Sequence, residues 1–225
     1  MRAFIALLIL LATPALAAPP LLTVVELFTS QGCSSCPPAD ALLTELQRND
    51  PNLLALDMHV TYWDRLGWKD PFSLPAVTQR QRGYSSRMGL DSVYTPQMVV
   101  GGRFEAIGSD AAAVQQAITR ARASVATTPL SLSLTASGVH IHVPAGANHG
   151  TLVMAGFDRQ HTTPVRAGEN GGRTLTEVNV VRSLSELGPW SGAAYDADVP
   201  RPDGERVAVL LQADDGRIMA AAASP

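Results

Sequence analysis

Val24-Val25-Glu26-Leu27-Phe28-Thr29-Ser30-Gln31-Gly32-Cys33-Ser34-Ser35-Cys36-Pro37-Pro38-Ala39-Asp40 is the stretch whose reading decides the fold. It starts as an apolar, partly β-branched run, breaks at a glycine, and presents two cysteines separated by two serines. Ala39 to Arg48 follows with leucines at 42, 43 and 46, the spacing of one helical face. The stretch therefore reads as a strand, a turn carrying Cys-x-x-Cys, and a helix. The chain has 2 cysteines in its 225 residues, so within the chain Cys33 and Cys36 pair only with each other.

Toward the N-terminus, Met1-Arg2 is a short positive region and Phe4 to Leu11 an apolar core. Ala15-Leu16-Ala17 supplies the small residues of a cleavage site, so residues 1–17 read as a signal peptide. The apolar run is too short to remain as a membrane-spanning helix. No cysteine follows the cleavage site to take a lipid anchor, since Ala18 and Pro19 stand there. A periplasmic or secreted protein with no membrane attachment after cleavage is expected, in a compartment where disulfides persist. The formal net charge is −3, with both signs interspersed, which gives no electrostatic reason to expect a nucleic-acid partner. An apolar fraction of 46% is ample for a core, and the length suits two modest domains, 18–128 and 129–225.

Beyond the first helix, which Asn49-Asp50-Pro51 ends, Leu53 to Val60 is almost continuously apolar, as in a strand covered on both faces. A helix between two such strands makes a parallel β-α-β unit. Tyr62 to Phe72 is irregular and holds Trp63 and Trp68. Pro75 opens a polar helix to about Met88. Gln97 to Val100 and Arg103 to Ile107 read as a hairpin about a two-residue Gly101-Gly102 turn. Ser109-Asp110 caps a helix from Ala111 to about Ser124. After Thr127-Thr128-Pro129 the chain alternates at Leu130 to Thr135 and Val139 to Val143. Further strands are expected at Thr151–Phe157, Arg173–Val181, Arg206–Ala213 and Ile218–Ala222, as a mostly antiparallel, sandwich-like domain.

The order β-α-β-α-β-β-α, with Cys-x-x-Cys after the first strand and proline before the third, resembles thioredoxin over residues 22 to about 125. A closer resemblance is to a family of secreted thioredoxin-like proteins called domain of unknown function 1223. It rests on the opening stretch and on His59-Val60-Thr61-Tyr62-Trp63-Asp64, Gly67-Trp68-Lys69-Asp70-Pro71-Phe72 and Tyr94-Thr95-Pro96-Gln97-Met98-Val99-Val100. Gly168-Glu169-Asn170-Gly171-Gly172-Arg173-Thr174-Leu175 and Asn179-Val180-Val181-Arg182-Ser183-Leu184 extend it over nearly the whole mature chain. The resemblance names a family without supplying an activity.

What the likeness to thioredoxin implies is thiol–disulfide exchange in the cell envelope. Cys33 would be the exposed nucleophile and Cys36 the resolving thiol. Thr95 and a cis-Pro96 would lie opposite them to receive an extended substrate. A helix N-terminus lowers a thiol pKa, but Pro37 and Pro38 restrict the residues before them. The helix then starts either at Cys33 or only at Pro38, and in the second case it acts on Cys33 from further away. An inert disulfide staple and a metal-binding pair are the competing readings of the motif. No second cysteine pair is present to complete a zinc site.

The expected partner is a protein or small-molecule thiol or disulfide, including an envelope redox partner, with no cofactor and no resident metal. The competing function is a binding module without turnover, delivering copper through Cys33, Cys36 and His59 or recruiting a partner. Tyr62, Trp63 and Trp68 form either an apolar lip beside the cysteines or plain packing. Glu26 is either a buried proton acceptor or a surface carboxylate at a strand end. His140 and His142 share a strand face, with His149 and His161 nearby in sequence, either as the start of a metal site or as solvated residues. Glu169 to Arg173 either turns the chain or lines a groove against the first domain.

Overall fold

Two strands buried along their whole length lie inside the sheet. In the computed structural model, which describes residues 22–124 and 128–225, β1 (Thr23–Thr29) and β2 (Leu53–His59) are buried at every position. The expected signal peptide, residues 1–17, lies outside the described residues. β1 and β2 pair in parallel from Thr23↔Leu53 to Thr29↔His59, and α1 (Pro37–Asn49) makes the crossover. α2 (Pro75–Met88) follows, ending at Gly89 with φ 66°, a left-handed stop that glycine adopts without strain. β3 (Gln97–Val100) runs antiparallel to β1, and β4 (Phe104–Ile107) antiparallel to β3. The β3–β4 connection has three residues, since Val100 pairs with Phe104, where the sequence suggested two. α3 (Ala111–Ala123) is capped as expected, the Asp110 side chain accepting from Ala113 N.

The later strands are β5 (Ser131–Leu134), β6 (Val139–Val143), β7 (Gly150–Pro164), β8 (Thr174–Trp190), β9 (Tyr195–Val199), β10 (Arg206–Gln212) and β11 (Ile218–Ala223). Four of them join the first half in one sheet of order β11-β10-β7-β8-β2-β1-β3-β4, through a parallel contact at Asp57↔Val180. β5, β6 and β9 form a separate antiparallel sheet. The result is a mixed α/β fold with one large, mostly antiparallel sheet and, among the described residues, three helices. No helix among them is long and apolar enough to cross a membrane.

Alternation along the strands distributes the core. Val24 and Phe28 of β1 and Leu54, Leu56 and Met58 of β2 face α2 and share one apolar cluster with Val153, Ala155, Phe157, Val181, Ala208 and Leu210 from the second half. Val25, Leu27, Leu53 and Ala55 point the other way, onto α1 and α3. The three-stranded sheet packs Val139, Ile141 and Val143 on Leu152, Met154, Val207, Val209 and Leu211. Three strands differ from expectation. β7 and β8 are far longer than their apolar portions, because Asp158 to Thr163 pair with Val180 to Leu175 by backbone register rather than by burial. β9 was not foreseen, its Tyr-Asp-Ala-Asp-Val alternation resting on a residue type poor in strand propensity.

Candidate functional site around the Cys33–Cys36 disulfide

Cys33 and Cys36 are joined, with Cα atoms 5.4 Å apart. The chain leaves β1 at Thr29 and turns back on itself, Cys33 N donating to Ser30 O and Cys36 N to Cys33 O. Cys36 occupies the N-cap of α1, and Pro37 and Pro38 take the opening positions, where a missing N–H costs no helical bond. The first bonds of the helix, from Ala39 N and Asp40 N, go to Cys36 O. The helix thus starts between the two places allowed by the sequence, with Cys33 outside it and Cys36 at its rim. Both cysteines are fully buried, while Ser34 and Ser35 between them are exposed. Burial of Cys33 departs from the exposed nucleophile that the likeness to thioredoxin implied, and its cause is a cover contributed by distant segments.

One part of the cover is aromatic. A Cβ on Gly32 would sit 3.3 Å from Trp63 Cβ, so the glycine lets the Trp63 side chain close against the cysteine loop. The indole of Trp63 donates to Thr95 Oγ1 at 2.7 Å, and that of Trp68 to Gln31 Oε1 at 3.2 Å. The Thr95–Pro96 peptide is cis. Pro96 is buried near the first turn of α1, since a Cβ on Gly108 would touch both Pro96 and Ala39 at 3.1 Å. Trp63, Trp68, Thr95 and Pro96 are therefore gathered round the Cys-x-x-Cys loop. The Tyr62 hydroxyl donates to Gln81 of α2 at 3.3 Å.

The other part of the cover is the tip of the β7–β8 hairpin. Asn170, fully buried, donates through Nδ2 to the carbonyls of Gln31 (3.0 Å) and Cys33 (2.8 Å). Glu169 Oε2 accepts from Ser34 N (3.0 Å) and Ser34 Oγ (2.6 Å). The turn from Glu169 to Arg173 thus both reverses the chain and contacts the first half.

A cluster of buried carboxyl groups holds the residues leading into the disulfide. Asp57 and His59 alternate along β2 and so share the α1 face with Leu53 and Ala55. His59 Nδ1 lies 2.7 Å from Asp70 Oδ2, and His59 Nε2 lies 3.5 Å from Asp57 and 4.0 Å from Glu177 Oε1. Asp70 also accepts from Gln31 N at 2.7 Å, Glu177 accepts from Gln31 Nε2 at 2.7 Å, and Asp40 accepts from Thr29 Oγ1 at 2.9 Å. Both oxygens of Asp57, His59 Nε2 and Glu177 Oε1 are buried without a hydrogen-bond partner. Burial would lower the His59 pKa, but the Asp70 and Asp57 carboxylates outweigh it and raise it well above the ordinary imidazole range. Burial likewise opposes ionisation of Asp70, yet His59 and its hydrogen bonds hold it low. Asp40, Asp57 and Glu177 are pushed up, chiefly by burial, Glu177 to about 7. The arrangement is an ionised Asp70–His59 pair beside acids that burial biases toward the protonated form.

Of this cluster the sequence reading singled out only His59. The available signal was Asp57 and His59 two apart in an apolar strand; Asp40, Asp70 and Glu177 arrive from three other segments. Glu26, the carboxylate considered for this role, is interior but lies on the α2 face with Val24 and Phe28. There it pairs with Arg80 Nε at 2.5 Å and accepts from Tyr84. His140 and His142 lie away from the cysteines in the three-stranded sheet, facing Asp198 (3.3 Å) and Asp196 (2.8 Å) of β9. Among the described residues no three His, Cys, Asp or Glu side chains stand as a ready metal site.

Fold and site together define a mixed α/β protein with a buried Cys-x-x-Cys disulfide where a central strand meets a helix. The chain belongs to the family described as "Protein of unknown function (DUF1223)", which it matches over residues 24–212. It is similar to an Agrobacterium tumefaciens protein of known crystal structure, with 30% identity and a TM-score of 0.79 over 92% of this chain and 95% of that one. HBP35 of Porphyromonas gingivalis is similar in fold alone, with 15% identity and a TM-score of 0.63 over 91% of this chain and 75% of that one. No curated protein matches.

Proposed function

We propose that the protein is a thioredoxin-like thiol–disulfide oxidoreductase of the bacterial envelope, exported by the signal peptide at residues 1–17. The observation that carries this reading is the Cys33–Cys36 disulfide at the start of α1, with the residues leading into it held by buried acids, among them Glu177, whose pKa burial pushes up to about 7. A substrate thiolate attacks Cys33 Sγ, the sulfur–sulfur bond breaks, and Cys36 leaves as a thiolate with the bonding pair. A second substrate thiolate then attacks the substrate sulfur of the mixed disulfide and releases Cys33. The substrate departs as a disulfide, two electrons remain on the cysteine pair, and the two substrate protons pass to the thiolates or the nearby carboxylates. Every step is reversible, so the partner's potential sets the direction. Trp63, Trp68, Thr95 and Pro96 frame the place where the substrate backbone would lie. Access requires the hairpin tip to move away from Ser34 and Cys33.

The experiment is insulin-disulfide reduction by the wild type, Cys33→Ser and Cys36→Ser. The expected result is turnover by the wild type alone and a trapped mixed disulfide with Cys36→Ser; equal rates in all three would overturn the reading. Complete burial of both sulfurs supports a second reading, a module that binds a partner or delivers copper without turnover. That reading gains if the pair resists alkylation in intact cells, and its copper version is lost if the reduced protein takes up no Cu(I) anaerobically.

A further inference from the structure

Glu169 is exposed, yet its carboxylate is tied to the residue that follows the first cysteine, accepting the Ser34 N–H at 3.0 Å and the Ser34 hydroxyl at 2.6 Å. A negative charge is thereby kept one residue from the Cys33 sulfur. Asn170 holds the adjoining backbone through the Gln31 and Cys33 carbonyls. Ser35 Oγ lies 3.4 Å from Cys33 Sγ, where its hydroxyl is placed to donate to that sulfur. One neighbouring donor thus serves the sulfur while another, Ser34 N–H, is held by an anion.

We infer that Glu169 is a positioning residue that sets the reactivity of the cysteine pair, its carboxylate opposing charge on Cys33 and holding the Ser34 N–H away from it. This rests on the oxidoreductase reading for its role in turnover. A thiolate is favoured by nearby donors and positive charge and disfavoured by an anion. The start of α1 favours a Cys33 thiolate, and Glu169 works against it. The two hydrogen bonds from Ser34 hold the Glu169 carboxyl below its usual range, so it stays charged across the pH range where a thiol titrates. Removing the charge stabilises the dithiol form and makes the pair a stronger oxidant. The hairpin tip of the second half therefore both covers the disulfide and tunes it.

The test compares wild type, Glu169→Gln and Ser34→Ala, each reduced with a phosphine in mild denaturant and refolded. Glutamine keeps an acceptor oxygen for Ser34 without the charge; alanine at 34 removes the hydroxyl bond and leaves the charge. The thiol pKa is read from thiolate ultraviolet absorbance, and the equilibrium from glutathione buffers. Glu169→Gln is expected to lower the pKa of the more acidic thiol and shift the equilibrium toward dithiol about two- to tenfold, equivalent to about 9 to 30 mV for a two-electron couple. Ser34→Ala is expected to move both by less. Unchanged values in Glu169→Gln, or an equal shift in Ser34→Ala, would overturn the inference. The thiol pKa needs no substrate, so a wild type unable to turn over insulin defeats only the oxidoreductase reading.

Discussion

Glu177 illustrates how much one buried side chain determines. One of its oxygens accepts from Gln31 and the other has no partner, and burial pushes its pKa up to about 7. An unfolded chain releases the same proton near 4.3. Between those values the folded protein holds a proton that the unfolded one lacks, so stability falls as pH rises through the window. The loss amounts to about 4 kcal/mol once the pH is above both values. Glu177→Gln removes this titration while keeping an acceptor for Gln31. Denaturant midpoints for the variant, relative to wild type, should therefore climb between about pH 4 and pH 8. A difference that stays flat with pH would show that Glu177 is ionised throughout. The sequence made the cysteines plain, because two in a whole chain have no other partners. It also displayed Asp57 and His59 on a single strand face. It gave no route to Glu177 or Asp70, whose place beside His59 depends on how distant segments pair.

Among the elements, the hairpin tip converts sequence into control of access. Its backbone is held by Gly172 N to Val165 O and Arg173 N to Asn170 O, which fixes the orientation of Glu169 and Asn170. Gly168 has φ 72°, and a Cβ there would sit 3.0 Å from Trp68 Cβ. Gly168→Ala thus adds left-handed strain and a contact that forces the tip and Trp68 apart. Its cost is about 1 kcal/mol or more, a fall of about 2 to 4 °C in Tm for a chain of this size. The more telling readout is access: after reduction, a bulky maleimide should label Cys33 faster in the variant while a small reagent gains less. Equal gains for both reagents would place the barrier elsewhere. The strand–turn–helix order of the first half was legible because hydrophobic period and capping agreed there, from Pro75 at one helix start to Asp110 at another. The outer lengths of β7 and β8 were not, because their polar residues are paired by the ladder and leave no hydrophobic period to read.

Over the whole molecule, the question is whether residues 18–128 stand alone. The α2-facing core answers against it, since Val24, Phe28, Leu54, Leu56 and Met58 close on Val153, Ala155, Phe157, Val181, Ala208 and Leu210 from beyond the composition change. Cutting there would leave β2 as an open parallel edge and expose the apolar face beside it, an arrangement prone to edge-to-edge association. It would also strip Asn170 and Glu169 from the disulfide and Glu177 from Gln31, because all three come from the second half. A fragment of residues 18–128 is therefore expected to bind a hydrophobic dye, to elute as aggregate and to melt without a cooperative transition, whereas 18–225 melts in one step. The sequence suggested two units from a change in strand and helix content. That change is real, but where a core closes is decided by which faces meet, and period alone does not name the partner of a buried face. A cooperative, monomeric fragment would show that the two halves are joined only at the sheet junction. The disulfide's cover would then be a docked neighbour, free to depart as a unit.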